Sequence, residues 1–389
     1  MRQRLALLGA TGSIGRSCLE VVRHHPERFE LVALGALGSR PRDLLAAVHE
    51  FAPRTLAVVD AAAAERLRGE LPARTRLLVG EESLVEIATD AGVDRVVAAI
   101  VGAAGLRPVH AALATGKGVA LANKESLVVA GRLLTAVAAE SGAALVPIDS
   151  EHVALHQALR CGGADEVARL VLTASGGPFR DRDPATFGAI RPAEALRHPT
   201  WSMGEKITID SATLINKGLE LIEAHWLFGV PADRIEVVVH PQSLVHSLVE
   251  WRDGSWIAQL APNDMIFPIQ YALAYPERWA NTFPRLEPSA LGTLEFLPLD
   301  DARFPAVALA RRALAAGDSA PAVLNAANEV AVRAFLAGRI GYPEIVATVE
   351  RVLDDHRAVA VGSLEEALEW DAWGRREAER RLGPAPVAR

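Results

Sequence analysis

The chain has 389 residues, half of them hydrophobic, with a formal net charge of −7 and a pI near 5.9. At about 100–200 residues per domain, that length predicts two or three cores rather than one small module. The acidic balance lacks the basic footprint that nucleic acid requires, and the longest apolar or glycine run, 96–106, falls short of the roughly 18–20 residues of a membrane span.

The first ten residues have the outline of a signal peptide, but their apolar stretch runs straight into a glycine motif with its own structural use. Cys18 and Cys161 are the only cysteines, too few for a disulfide framework or a cysteine metal cluster. A reducing, cytoplasmic location is expected.

From the N-terminus, β-rich runs at 4–9, 30–34, 55–59, 95–100, 118–122 and 144–148 alternate with helical patterns at 14–22, 41–50, 61–69 and 126–140. Alternation of this kind implies βαβ units and a parallel sheet, so residues 1–149 are expected to form a Rossmann-like domain. Its first strand leads into Gly9-Ala10-Thr11-Gly12-Ser13-Ile14-Gly15. Glycines there permit a tight turn, and a helix N-terminus offers unpaired N–H groups to a pyrophosphate. After the second strand comes Gly35-Ala36-Leu37-Gly38-Ser39-Arg40, with no acid between Leu31 and Arg42. An NAD site usually carries an acid there for the ribose hydroxyl. NADP is therefore favoured, with Ser39 and Arg40 as candidate 2′-phosphate ligands.

Residues 150–275 read as an α+β central catalytic domain: strands at 170–174, 236–239, 244–251 and 255–260, a hairpin at Asp253-Gly254, and one helix over 211–228. Residues 276–305 are proline- and turn-rich and read as a linker. From 306 to 389 the pattern is a small helical domain with a frayed tail from 383. The fold class is α/β with these two further units.

Ile148-Asp149-Ser150-Glu151 closes an apolar run, which puts Asp149 and Glu151 at a strand's carboxyl end, on one side if the chain stays extended. In the predicted helix Asn216, Lys217 and Glu220 share a face, with Ser211 near its start. A third carboxylate at Glu220 would complete an oxygen-ligand site suited to Mg²⁺ or Mn²⁺. Ser175-Gly176-Gly177-Pro178 follows another strand as an anion-binding turn, and His198-Pro199-Thr200-Trp201-Ser202-Met203-Gly204 reads as a mobile lid.

These motifs, with Ala122-Asn123-Lys124-Glu125-Ser126, resemble the 1-deoxy-D-xylulose 5-phosphate reductoisomerase family over essentially the whole chain. The resemblance implies conversion of 1-deoxy-D-xylulose 5-phosphate to 2-C-methyl-D-erythritol 4-phosphate for isoprenoid precursors, using NADPH and Mg²⁺ or Mn²⁺, by a homodimer. It makes Asp149, Glu151 and Glu220 metal ligands, and gives Ser175, Ser211, Asn216 and Lys217 the phosphate. Lys124, Glu151 and His198 become catalytic residues, and Lys124, Ser150, Glu151, His198, Trp201 and Glu220 join the substrate site. NADPH would meet Thr11, Gly12, Ser13, Ile14, Gly38, Ser39, Arg40, Asn123, Glu125 and Gly204. Two rivals remain open on sequence: a simpler NADP-dependent dehydrogenase without a metal, and a non-catalytic NADP sensor.

Overall fold

The computed structural model describes residues 2–201 and 203–383. Of the predicted tail, all but Gly383 lies outside the described residues. The chain divides into two units, one of Met1–Ser126, Leu134–Val153 and Met265–Phe283, the other of Leu127–Leu133, Ala154–Asp264 and Pro284–Arg389.

In the first unit the order is β1 (Gln3–Leu8), α1 (Ser13–His24), β2 (Phe29–Ala36), α2 (Pro41–Phe51), β3 (Thr55–Val58), α3 (Ala61–Arg68), β4 (Arg76–Val79), α4 (Glu82–Thr89), β5 (Arg95–Ala98), α5 (Leu106–Ala114), β6 (Gly118–Leu121), α6 (Lys124–Ser141) and β7 (Leu145–Pro147). The seven strands lie in the order β4-β3-β2-β1-β5-β6-β7, all pairs parallel. Leu5, Leu7, Leu34, Leu56 and Val97 are buried in its core. Central strands covered on both faces read as unbroken apolar runs, which is why they are legible in sequence. Three elements are not: β4 is a partly exposed edge strand, α4 spans only two turns, and α5 carries Pro108 in its first turn directly after the apolar run. Strand order reverses between β1 and β5, and ligands of such sheets bind outside the strand ends at that switch point.

After β7 come α7 (Ser150–Ala158), β8 (Val167–Ala174), α8 (Pro192–Ala195), α9 (Glu205–Ala212), α10 (Ile215–Phe228), β9 (Ile235–Val239), β10 (Val245–Trp251) and β11 (Trp256–Leu260). Next is α11 (Ile266–Ala274), which belongs to the first unit although its sequence reads as part of the central domain. Buried Arg95 explains its attachment: the guanidinium donates to the Ala272 carbonyl at 2.7 Å and the Leu273 carbonyl at 3.0 Å, capping the helix with a cation. The chain ends in β12 (Leu297–Pro298), α12 (Ala306–Ala316), α13 (Ser319–Leu336), α14 (Tyr342–Asp355) and α15 (Leu364–Leu382). The second sheet runs β11-β10-β8-β9-β12. β10 pairs antiparallel with β11, as the hairpin signal predicts, and also with β8, while β8 and β9 are parallel.

One predicted element breaks in two. Instead of a single helix over 211–228, α9 ends at Ala212 and α10 starts at Ile215, with Leu214 between them at φ 58°. Ser211 thus lies in the last turn of α9, not at the start of the helix that carries Glu220. The Thr213 hydroxyl donates to the Ile209 carbonyl at 3.1 Å and accepts from the Ile215 N–H at 3.4 Å, so it serves both sides of the break. Neither glycine nor proline occurs in Ala212-Thr213-Leu214-Ile215, so the sequence carries no stop signal there.

Candidate functional site

At the switch point of the first sheet, the glycines between β1 and α1 have different tasks. A Cβ on Gly9 would come within 2.4 Å of the Ala99 carbonyl oxygen, and one on Gly15 within 2.2 Å of the Gly9 carbonyl oxygen, so both serve close packing. Gly12 is exposed and is the N-cap of α1, where no side chain caps the helix. A Cβ there would lie 3.3 Å from the Gly9 carbonyl oxygen, a tight contact within the turn. The N–H groups of Ser13 and Ile14 begin that helix. Gly38, at φ 105°, lets the loop after β2 pass within van der Waals reach of Ala63 and Val58. Ser39 and Arg40 are exposed, and the Arg40 guanidinium donates to the Thr11 carbonyl at 3.3 Å. Sequence reasoning missed Arg16, which donates to the same carbonyl at 2.8 Å. Its position on the exposed first turn of α1 was the available signal.

Further along the same sheet edge, Asn123 is buried, and its amide donates to Gly102 O and Glu125 Oε2, each at 3.0 Å. Its side chain is therefore spent on holding the turn after β6, as is its backbone, whose N–H donates to the Ala98 carbonyl at 3.1 Å and whose carbonyl accepts from Ser126 N–H at 3.1 Å. Lys124, at the start of α6, forms an ion pair with Asp149. The chain does not stay extended after β7, as the two-residue period assumed. Asp149 instead precedes α7, its carbonyl accepting from Val153 N–H at 2.8 Å, and Glu151 stands in the first turn. Acids at a helix N-terminus are favoured by the dipole. The Ser150 hydroxyl donates to Glu151 Oε2.

Within the second unit, Ser175, His198 and Ser211 come together across 36 residues of chain. His198 Nδ1 accepts the backbone N–H of Thr200 at 3.2 Å and of Trp201 at 3.0 Å, which places the ring proton on Nε2. From there it can donate to Ser175 Oγ at 3.1 Å or Ser211 Oγ at 3.0 Å. Burial pushes the imidazole down to about 4, so it is neutral at physiological pH. Gly177, at φ 67°, makes the approach possible, because a Cβ on it would lie 2.8 Å from Ser211 O.

The expected face of α10 is present. Asn216 Nδ2 donates to Glu220 Oε1 at 2.5 Å, and buried Lys217 pairs with buried Glu220. Taking both charges out of water is expensive, which argues for more than surface decoration. Trp201 is partly exposed in the irregular segment between α8 and α9, its ring 6.1 Å from that of His246, and Gly204 is the exposed N-cap of α9. Ser202, also in the predicted lid, lies outside the described residues. Asp149, Glu151 and Lys124 belong to the first unit, and Ser175, His198, Ser211, Asn216, Lys217 and Glu220 to the second. All three expected metal ligands are carboxylates, a donor set that fits a hard divalent cation.

Fold and site define a class: two-unit α/β proteins in which a doubly wound sheet with a dinucleotide-type glycine turn is joined to a mixed sheet bearing serine, histidine, lysine and carboxylate groups. Family profiles narrow it. The profile of 1-deoxy-D-xylulose 5-phosphate reductoisomerase matches residues 5–131, that of its C-terminal domain 145–228, and that of the DXP reductoisomerase C-terminal domain 260–377. Proteins of that name from Anaeromyxobacter dehalogenans and Chlorobaculum tepidum are 52% and 51% identical, the alignments covering 100% and 97% of this chain and 100% and 99% of theirs. A crystal structure of DOX-P reductoisomerase in complex with NADPH, fosmidomycin and magnesium is 44% identical, with TM-score 0.93 and 98% of each chain covered. The Zymomonas mobilis enzyme in complex with NADPH is 41% identical, with TM-score 0.92, covering 98% of this chain and 99% of its own. The chain belongs to the 1-deoxy-D-xylulose 5-phosphate reductoisomerase family.

Proposed function

We propose that this protein converts 1-deoxy-D-xylulose 5-phosphate to 2-C-methyl-D-erythritol 4-phosphate, a rearrangement followed by reduction, in non-mevalonate isoprenoid precursor synthesis. The observation that carries the reading is the full-length likeness to a reductoisomerase crystallised with NADPH, fosmidomycin and magnesium. When bound, NADPH supplies the hydride and the divalent cation polarises the substrate's oxygens.

The chain's own residues supply the rest. Gly12, Ser13 and Ile14 present backbone to the pyrophosphate beside Thr11. Ser39, Arg40 and Arg16 are the 2′-phosphate ligands of this reading, supported by the two guanidinium groups sharing the Thr11 carbonyl, with Gly38, Asn123, Glu125 and Gly204 completing the nucleotide contacts. Asp149, Glu151 and Glu220 offer the oxygen donors for the cation. Ser175, Ser211, Asn216 and Lys217 hold the substrate phosphate, Lys217 as a point charge. A neutral His198 donates from Nε2 without adding a second cation, while Lys124 and Ser150 meet the sugar. Binding the remote phosphate orients the reacting carbons, so part of the catalytic effect comes from position. Trp201 and its segment would close over the substrate, excluding water.

Two further readings have narrower support. A homodimer is favoured by β11, the edge strand of the second sheet, on which Trp256 and Leu260 are exposed; sedimentation measures the mass, and a monomer at micromolar concentration removes the reading. Cytoplasmic location is favoured by two free cysteines. Among the described residues no helix is long and apolar enough to cross a membrane.

The deciding experiment incubates the purified chain with the keto sugar phosphate, Mn²⁺ and either NADPH or NADH, and identifies the product. 2-C-Methyl-D-erythritol 4-phosphate formed with a higher kcat/KM for NADPH is expected. Reduction without skeletal rearrangement would point to the simpler dehydrogenase, and cofactor binding without turnover to a sensor.

A further inference from the structure

Ser211 is flanked by two residues that the C-terminal helices of the second unit hold. On one side, Asp210 is only 1% exposed; Asn328 of α13 donates to its Oδ1 at 2.8 Å, and Lys206 pairs with its Oδ2 at 2.7 Å. On the other, the hydroxyl of Tyr342, the first residue of α14, donates to the Ala212 carbonyl at 2.6 Å. Neither Asn328 nor Tyr342 belongs to any motif that carried the functional reading.

Both contacts have the marks of a purpose. Asn328 is fully buried, and its amide oxygen lacks a hydrogen-bond partner among the described residues, so the bond to Asp210 is what its amide gains in the interior. An unsatisfied buried acceptor is otherwise selected against. Tyr342 packs edge-on against Phe179 and Phe187, at ring distances of 5.2 and 5.5 Å, so its ring is fixed by packing and its hydroxyl direction follows. The carbonyls at the C-terminus of α9 form the negative end of that helix, an unfavourable neighbour for a phosphate. They are satisfied one after another: Ile209 by Thr213 N–H, Asp210 within reach of the Thr213 hydroxyl, Ser211 by Leu214 N–H, and Ala212 by Tyr342. Without the tyrosine hydroxyl, the last of these acceptors would lose its donor one residue from Ser211.

We infer that Asn328 and Tyr342 are positioning residues for substrate phosphate, setting the Ser211 hydroxyl beside His198 and satisfying the C-terminal end of α9 that carries it. This rests on the reading of Ser211 and Lys217 as phosphate ligands. Tyr342→Phe keeps the aromatic packing and removes one hydroxyl. Loss of one hydrogen bond corresponds to a KM for 1-deoxy-D-xylulose 5-phosphate raised about five- to tenfold, with kcat changed less than about twofold. The same substitution in a Ser211→Ala background is expected to change KM less than about twofold, because the hydroxyl it positions is gone. Asn328→Ala should show the same non-additivity.

Equal KM effects in both backgrounds, or a lowered melting temperature with KM unchanged, would overturn the inference and leave Tyr342 as packing. Lys217→Ala separates this from the underlying reading. If it raises KM while Tyr342→Phe does not, the positioning role alone fails; if Lys217→Ala leaves KM unchanged, the phosphate assignment itself fails and the inference with it.

Discussion

His198 shows how one side chain's surroundings select its chemistry. Two backbone donors on Nδ1 leave only Nε2 to carry the proton, and burial disfavours the imidazolium. An unfolded histidine protonates near 6.5, whereas the folded one resists down to about 4. Between those values the unfolded chain binds more protons, so His198 lowers stability as pH falls from about 6.5 toward 4 and has no such effect above. Denaturant midpoints for the native chain and His198→Gln at pH 4.5 and 7.5 test this. The variant should lose less stability on acidification, and an equal loss would mean that His198 does not resist protonation. The residue types were readable from sequence. Their tautomer was not, because it depends on hydrogen bonds made after the segment has turned.

Helices α9 and α10 illustrate the same division at the level of elements. The four-residue spacing of Asn216 and Glu220 is an intrinsic helical relation, and it survives in the structure. The break at Leu214 is a tertiary outcome, in which a buried leucine is held at φ 58°. Close packing also fixes α10: a Cβ on Gly218 would lie 2.8 Å from the Ala310 Cβ of α12 and 3.0 Å from the Ala306 carbonyl oxygen. Gly218→Ala should therefore destabilise the chain despite the roughly 1 kcal/mol helix-propensity advantage of alanine, because overpacking typically costs about 1–3 kcal/mol. Equilibrium unfolding measures the balance, and a stabilised variant would show that the two helices part easily. For the segment before α9, partial exposure of Trp201 is what a lid requires. Trp201→Ala should leave unfolding of the unliganded chain near native while reducing turnover, and fosmidomycin should protect residues 198–204 from proteolysis. Unprotected cleavage together with a loss of about 3–5 kcal/mol, the usual cost of emptying a core aromatic site, would return Trp201 to a structural role.

Across the whole molecule, the proposed activity requires groups that sequence-distant segments contribute. The carboxylate set predicts that EDTA abolishes turnover and that Mg²⁺ or Mn²⁺ restores it, since oxygen donors suit hard cations. Activity that persists after exhaustive chelation would exclude Asp149, Glu151 and Glu220 as an essential metal set. Glu220→Gln retains the shape of the side chain while removing its charge, and normal Mn²⁺ affinity by titration calorimetry would reassign Glu220 to its pairing with Lys217 alone.

Sequence by itself determined the parallel sheet, because strands buried on both faces must be apolar throughout. It determined the glycine turn, since only glycine tolerates the approach at Gly9 and Gly15. The face of α10 was legible because helical neighbours are separated by fixed sequence intervals. Tertiary structure decided what no local period encodes. It joined α11 to the first unit through Arg95, placed Arg16 and Arg40 on the same carbonyl, and turned Asp149 and Glu151 into a helix start. It also brought Asn328 and Tyr342 to either side of Ser211. The contacts of Arg95, Asn328 and Tyr342 link residues 177, 118 and 130 positions apart, and their partners are chosen by packing and by the need of buried polar groups for hydrogen bonds.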